Sequence, residues 1–241
     1  MNAARLAAWS VHFYTGLGAV LGFLGLEAIA RDQYALAFFW MALATVIDST
    51  DGSLARRFHV KQVLPTFDGA RLDDIVDYLN YVVVPVVLAY DAGLVPATLW
   101  GRLVCAAPLL ASGYGFCQTD AKTADHFFKG FPSYWNVVVF YLYVLGLPTW
   151  FNVFTLLVFS VLVFVPIRYL YPSRNPVARR TTIGLGMVWG VCLFVLLAQF
   201  PHPSKLLGWF SLFFPVYYMV LSVHLDWKTR TKGNGLDTAD H

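Results

Sequence analysis

The sequence has little charge for its length. Charged residues make up 13% of its 241 residues, whereas they account for about a quarter of an ordinary soluble domain. Hydrophobic residues make up 58% and the mean hydropathy is +0.60, so the few charges could not cover the surface of a water-soluble globule. This composition excludes a disordered chain and a free nucleic-acid-binding protein, and it predicts an integral membrane protein.

Cysteine is also scarce, and neither cysteine nor histidine forms a metal-binding pattern. The three cysteines all lie within apolar runs, which indicates buried small side chains and excludes a disulfide scaffold. The six histidines are scattered without metal-ligand spacing. The glycine patterns of P-loop and Rossmann nucleotide sites are missing too.

Long apolar runs dominate the chain. A transmembrane helix needs about 20 mostly apolar residues, and eight runs fit that length roughly: Trp9–Ala30, Tyr34–Ala55, Ile75–Tyr90, Ala97–Phe116, Tyr134–Leu147, Phe151–Tyr171, Thr182–Phe200 and Leu206–Leu225. The fifth run is short and only a Gly-Leu-Pro break separates it from the sixth, so counts of six or seven stay open. We therefore predict an all-α fold, a polytopic membrane helix bundle of about eight transmembrane helices, in one domain, 1–241.

The basic residues orient the bundle. If the N-terminus is cytoplasmic, 14 of the 17 Lys and Arg residues fall in cytoplasmic segments. Only Arg31 and Lys205 fall outside, and Arg102 is ambiguous. Because cytoplasmic loops carry the excess of Lys and Arg, we expect both termini and the loop Arg56–Arg71 to be cytoplasmic, with a polar cytoplasmic tail over 227–241.

The acidic residues are concentrated in one segment, since six of the 14 lie between Asp48 and Asp77. Asp48 and Asp51 are three residues apart, and Asp73 and Asp77 are four apart, so each pair shares one face of its helix. The second span enters the cytoplasm and the third returns, so the two faces meet there. Asp74 is rotated by about 100° from Asp73 and is expected off that face.

Four converging carboxylates point to a metal site. They cannot all stay ionised in a low-dielectric site without cations, and oxygen ligands favour Mg²⁺, Mn²⁺ or Ca²⁺. Two such ions form a clamp for phosphoryl chemistry. Gly52 and Ala55 leave room for a ligand beside the backbone, and Arg56 could hold a phosphate.

Helix capping is the simpler explanation for these aspartates. It would account for Asp68 and Asp73 at the start of the third span. It does not account for Asp48 and Asp51 at the C-terminal end of the second span, where the helix dipole disfavours negative charge.

The segment resembles the signature of the CDP-alcohol phosphotransferase family, which reads D-x2-D-G-x2-A-R, a spacer, then G-x3-D-x3-D. Every fixed position is present: Asp48, Asp51, Gly52, Ala55, Arg56, Gly69, Asp73 and Asp77. The twelve-residue spacer, 57–68, is several residues longer than in most members. This longer spacer and eight spans in place of six resemble a bacterial branch of the family that uses choline as its acceptor.

The resemblance implies a fold, a reaction and a set of roles. The fold would be a six-helix family core plus two helices, in the bacterial inner membrane among membrane lipid, with the active site facing the cytoplasm. Choline would attack CDP-diacylglycerol with release of CMP at a two-metal site holding Mn²⁺ or Mg²⁺, and a homodimer is considered as the assembly. The implied metal ligands are Asp48, Asp51, Asp73 and Asp77, with Asp77 also the catalytic base; the implied substrate contacts are Asp48, Gly52, Ala55, Arg56 and Gly69.

A choline site requires aromatic faces around its quaternary ammonium group. Tyr78 and Tyr81 flank the aspartate helix, and the loop Phe127–Trp135 is rich in rings. We take Tyr78 as the substrate-binding candidate. Aromatic residues make up 17% of the chain, so ring clusters also arise by composition alone, and interfacial Trp and Tyr are typical of membrane proteins.

Two alternatives remain at this point. Another family member would use serine, glycerol phosphate or inositol phosphate, and a phosphorylated alcohol would call for extra basic side chains near the site. A cation transporter could use the aspartates as its ion path, but transporter sites lie near the membrane midplane, whereas these acids cluster at one face.

Overall fold

The computed structural model describes residues 2–119, 127–170 and 179–236. The last residue of the sixth predicted span and residues 237–241 of the predicted tail lie outside this part of the chain.

Helices make up nearly all of the regular structure. They are α1 (Ala3–Ile29), α2 (Tyr34–Arg57), α3 (Val60–Val63), α4 (Gly69–Asp77), a π-helical turn (Tyr78–Val83), α5 (Val84–Asp91), α6 (Leu99–Cys117), α7 (Trp135–Leu145), α8 (Thr149–Phe164), α9 (Arg179–Ala198), α10 (Lys205–Ser211) and α11 (Phe213–Leu236). The two strands, β1 (Phe127–Lys129) and β2 (Arg168–Leu170), have three residues each.

The helices correspond to the predicted spans. Each of the eight apolar runs coincides with one helix or with consecutive helices, since α4, the π-helical turn and α5 form one rod and α10 continues into α11. Within the described residues, three segments are long and apolar enough to cross a membrane on their own, namely α1, α9 and Lys205–Lys228, and α7 and α8 are shorter apolar helices. The prediction of an all-α polytopic membrane protein is confirmed.

The sixth span was predicted too long. α8 ends at Phe164, because Val165 precedes Pro166 and a residue before proline avoids the α conformation. The chain then forms β2, which pairs antiparallel with β1 so that Phe127 faces Leu170 and Lys129 faces Arg168. At the other end of the chain, α11 runs through the first part of the predicted polar tail, as far as Leu236.

α1 packs closely against the rod that carries Asp73 and Asp77. A Cβ atom at Gly18 would collide with Val76, and one at Gly22 would lie 2.6 Å from Leu79 Cδ2. Asn80 Nδ2 donates hydrogen bonds of 2.9 Å to the carbonyls of Gly18 and Val76. The small residues of α1 therefore set the position of α4 and of the π-helical turn.

The π-helical turn ends two residues before Pro85. Pro85 has no N–H to offer the carbonyl four residues earlier, and the register widens so that the amide of Val84 donates to the carbonyl of Leu79, five residues back. The rod thus continues through the proline without a break in its helical structure.

Candidate active site

Three carboxylates meet where α2 approaches α4. Asp48 of α2 and Asp73 and Asp77 of α4 each offer an oxygen within 4.8 Å of the other two, and all three side chains are half-buried. The four-residue spacing of Asp73 and Asp77 puts both on the face that looks at α2. Such a set of hard oxygen donors fits a divalent cation, so the cluster could hold one.

Asp51 is not part of this three-carboxylate set. It is buried, and Thr15 of α1 donates a 2.8 Å hydrogen bond to its Oδ2. The residue before it, Thr50, forms a 2.8 Å hydrogen bond through its hydroxyl with the hydroxyl of Tyr14. The structure thus brings three of the four predicted ligands together and places the fourth against α1, through a partner 36 residues away that the local spacing does not indicate.

The carboxylates open into a cavity of about 270 Å³. Asp74 lies in its wall although it is not in the three-carboxylate set, a position that the helical rotation alone did not predict. The remaining wall comes from the π-helical turn, the end of α6, β1 and the loop after it, and α8. It comprises Tyr81, Gly115, Phe116, Gln118, Thr119, Lys129, Gly130, Phe131, Pro132, Ser133, Tyr134 and Val163. The ring-rich loop singled out in the sequence therefore borders the acidic cluster.

Hydrogen bonds to α6 fix that loop. Trp135, fully buried, donates from Nε1 to the Ser112 hydroxyl at 2.7 Å, and the Ser133 hydroxyl donates to the same oxygen at 2.9 Å. Gly130 has φ of +84°, and its amide donates to the carbonyl of Ile167 at 2.9 Å. The segment Gly130–Trp135 is thus held at both of its ends.

Tyr81, and not Tyr78, reaches the acidic cluster. The Tyr78 hydroxyl donates a 2.9 Å hydrogen bond to the carbonyl of Leu109 in α6, and Tyr78 is not among the described residues that line the cavity. Tyr81 donates a 2.7 Å hydrogen bond to Asp48 Oδ2 and lines the cavity. Its position four residues after Asp77 was the signal in the sequence, because residues four apart share a helix face.

Gly52, Ala55 and Arg56 of the signature lie on the last two turns of α2. Gly52 is half-buried, and a Cβ there would stand 3.5 Å from Nη1 of the exposed Arg56. Ala55 packs at the edge of a small apolar cluster that includes Val11 and Val60. None of these three signature residues is among the described residues that line the cavity.

Gly69 makes a close approach to α1. A Cβ atom at this position would lie 2.5 Å from Cε1 and 3.0 Å from Nδ1 of the buried His12. The His12 ring also packs against Phe67, with ring centroids 4.4 Å apart. The sequence analysis did not select this histidine. Its close approach to Gly69 gives a steric reason for a glycine at this position of the signature.

The model of the CDP-alcohol phosphatidyltransferase family matches residues 11–165, a stretch that includes the three-carboxylate cluster and the cavity wall. The chain belongs to this family. Its membership in the CDP-alcohol phosphotransferases confirms the resemblance drawn from the aspartate signature. The matched stretch ends before β2, so β2 and α9 to α11 lie outside it.

Several curated relatives are similar over almost the whole chain. A phosphatidylcholine synthase of Legionella pneumophila is 43% identical over 90% of this chain and 88% of its own length. One of Pseudomonas aeruginosa is 37% identical over 88% of each chain. One of Borreliella burgdorferi is 32% identical over 96% of this chain and 99% of its own.

Proposed function

We propose that the protein is a phosphatidylcholine synthase, which transfers the phosphatidyl group of CDP-diacylglycerol to choline and releases CMP. The observation that carries the proposal is the shared cavity, in which the three-carboxylate set adjoins the rings of Tyr81 and Tyr134. Carboxylates suit the metal-assisted displacement at phosphorus, and tyrosine faces suit a quaternary ammonium. The named relatives support the same reaction.

Asp77 is the proposed general base. Its carboxylate takes the proton of the choline hydroxyl as that oxygen bonds to the phosphorus that carries diacylglycerol. The bond from this phosphorus to the bridging oxygen breaks, and the electron pair leaves with CMP. A divalent cation held by Asp48, Asp73 and Asp77 would neutralise the charge that develops on the pyrophosphate oxygens.

We assign the cation as Mg²⁺ or Mn²⁺, and we assign Asp51 to a second cation. Thr15 donates a hydrogen bond to Oδ2 of Asp51, and we propose Oδ1 of Asp51 as the ligand atom for the second cation. The guanidinium of Arg56 is the proposed partner of a substrate phosphate, and Gly52, Ala55 and Gly69 are proposed to keep the space beside it small and unobstructed.

The proposed location is the bacterial inner membrane, with the site facing the cytoplasm. The excess of Lys and Arg in the segments next to the site supports this orientation. The membrane would supply CDP-diacylglycerol, and choline and CMP would exchange with the cytoplasm.

The cavity favours choline over a phosphorylated alcohol. Lys129 is the one basic side chain among the described residues that line it, whereas a phosphate group would call for several. The transporter alternative has no support, since the acids belong to the signature of an enzyme family.

The test is acceptor-dependent CMP release by the purified protein in detergent. CDP-diacylglycerol and Mn²⁺ are supplied, and labelled choline, serine and glycerol phosphate are offered in turn. We expect CMP and labelled lipid with choline alone, loss of both in excess EDTA, and recovery on addition of Mn²⁺ or Mg²⁺. Transfer to serine or glycerol phosphate without transfer to choline would contradict the proposal, and full turnover of metal-free protein would contradict its metal dependence.

A further inference from the structure

Two tyrosines of the cavity wall stand next to the acidic cluster. The rings of Tyr81 and Tyr134 have centroids 6.3 Å apart and planes at 61°. Tyr81 is hydrogen-bonded to Asp48, so this pair of rings adjoins the carboxylates directly. The other rings of the wall are engaged elsewhere, Phe131 with Phe159 at 4.7 Å and Phe116 with Tyr78 at 5.8 Å.

Two further tyrosines support the Tyr134 side of this pair, and both lie C-terminal to the residues that the family model matches. Tyr218 of α11 packs edge-on against Tyr134, with centroids 6.3 Å apart and planes at 62°. Tyr169 of β2 stacks on Tyr218 at 6.4 Å and 22°. Both are buried, with 0% exposure for Tyr169 and 8% for Tyr218. A wall residue of the family stretch is therefore supported by two rings supplied by the last third of the chain.

We propose that Tyr81 and Tyr134 form the subsite for the quaternary ammonium group of the acceptor, and that Tyr218 and Tyr169 are positioning residues that hold the Tyr134 ring. The inference rests on the proposed function and deepens it, since it assigns the choice of acceptor to two wall rings, one of which is supported by residues of β2 and α11.

The chemistry of the acceptor fits this place. A quaternary ammonium has no N–H to donate, so ring faces can bind it without hydrogen bonds. Only two carbons join the ammonium of choline to its hydroxyl, so its two subsites must lie in neighbouring parts of one cavity.

The experiment separates the ring subsite from the rest of the site. Tetramethylammonium lacks a hydroxyl and therefore reports on the ammonium subsite alone. Its binding is measured by calorimetry and by competition with choline, for the wild type and for Tyr134→Leu, Tyr134→Phe and Tyr218→Leu. Tyr114→Leu is the matched control, because Tyr114 is an exposed ring of α6 that is 50% accessible and lies outside the cavity wall.

We expect Tyr134→Leu to weaken tetramethylammonium binding and to raise KM for choline by roughly 3- to 30-fold, the range of a partly desolvated cation–π contact. The KM for CDP-diacylglycerol should change by less than about twofold. Tyr134→Phe keeps a ring and should stay near the wild type. Tyr218→Leu should act like a weaker Tyr134→Leu, with KM for choline altered more than kcat, and Tyr114→Leu should have no effect.

The outcomes distinguish this inference from the proposed function. Choline transfer with tetramethylammonium binding that does not depend on the Tyr134 ring would overturn the subsite and leave the function standing. Failure of the wild type to use choline would overturn the function, and calorimetry with tetramethylammonium would still decide whether the rings bind a quaternary ammonium. If Tyr134→Leu does not fold, Tyr134→Met replaces it, because the unbranched methionine side chain has no ring and adapts to an irregular space.

Discussion

At the scale of single residues, the aspartates differ in what surrounds them. Asp73 and Asp77 share a helix face with each other and approach Asp48 across the gap between α2 and α4. Asp51 accepts a hydrogen bond from Thr15, and Asp74 borders the cavity without joining the carboxylate set. Four residues that look equivalent in the signature therefore have unequal neighbours, and their substitutions should have unequal effects.

Asp77→Asn should abolish proton removal from the acceptor while leaving the substrate able to dock. At saturating metal we expect kcat to fall by ~10²–10⁴-fold, the usual cost of losing a general base, with a smaller change in the KM for CDP-diacylglycerol. Steady-state kinetics of the purified variant would measure both.

Asp74→Asn is the companion substitution on the same helix. Its carboxylate is outside the three-carboxylate set, so we expect kcat to fall less than about tenfold. A folded Asp74→Asn protein as inactive as Asp77→Asn would show that the base has been assigned to the wrong residue.

Thr15→Val should destabilise the protein because it removes the donor to the buried Asp51 carboxylate. An unsatisfied buried acceptor costs about 1–3 kcal/mol, which should lower the midpoint of thermal unfolding in detergent. Thr15→Ser keeps the hydroxyl and serves as the control. Equal midpoints for Thr15→Val and the wild type would mean that this hydrogen bond does not stabilise the fold.

At the scale of elements, the fit of α1 against α4 brings the site together. Val76 and Leu79 pack against glycines of α1, and His12 of α1 packs against Gly69 at the start of α4. A helix pair that meets through small residues has a defined separation, since a larger side chain on either partner would push the backbones apart.

Gly69→Ala tests this contact. The new methyl group would lie 2.5 Å from the His12 ring, and overpacking of this kind costs about 1–3 kcal/mol. We expect lower activity and a lower unfolding midpoint. The double variant Gly69→Ala/His12→Ala should recover both in large part, because it removes the ring that the methyl group meets.

The control for that experiment is His12→Ala alone, which defines the baseline for the double variant. If the double variant is as inactive as Gly69→Ala, the glycine serves the substrate directly and the contact with His12 is not its reason.

The elements also show what the sequence could and could not predict. The lengths of the apolar runs located the helices of the eight predicted spans. The three- and four-residue spacings located the helix faces that carry the carboxylates. The β1–β2 pair was missed because a three-residue strand carries too short a pattern, and because β2 lies inside an apolar run that continues to Tyr171. The bond from Thr15 to Asp51 was missed because a contact between distant positions leaves no mark on local periodicity.

At the scale of the whole molecule, the distribution of basic residues predicts how the bundle sits in the membrane. The exposed Lys61 lies in α3, between the two halves of the aspartate signature, so its side of the membrane is that of the site. We expect Lys61→Cys to resist an impermeant external thiol reagent in intact cells and to react after permeabilisation.

The labelling background must lack Cys117, which is exposed, whereas Cys105 and Cys192 are buried. Arg31→Cys, on the opposite side in this orientation, should react in intact cells and serves as the positive control. External labelling at Lys61→Cys would reverse the orientation and place the site outside.

The packing of α1 also bears on how the protein is made. Every helix that contributes a carboxylate to the cluster, and the α1 residues that position them, lie within the first 91 residues. During synthesis, a ribosome that has delivered α5 to the membrane has already supplied all the acidic groups of the site. The tyrosines of β2 and α11 emerge later, so the nascent chain acquires its acidic centre before the rings that support Tyr134.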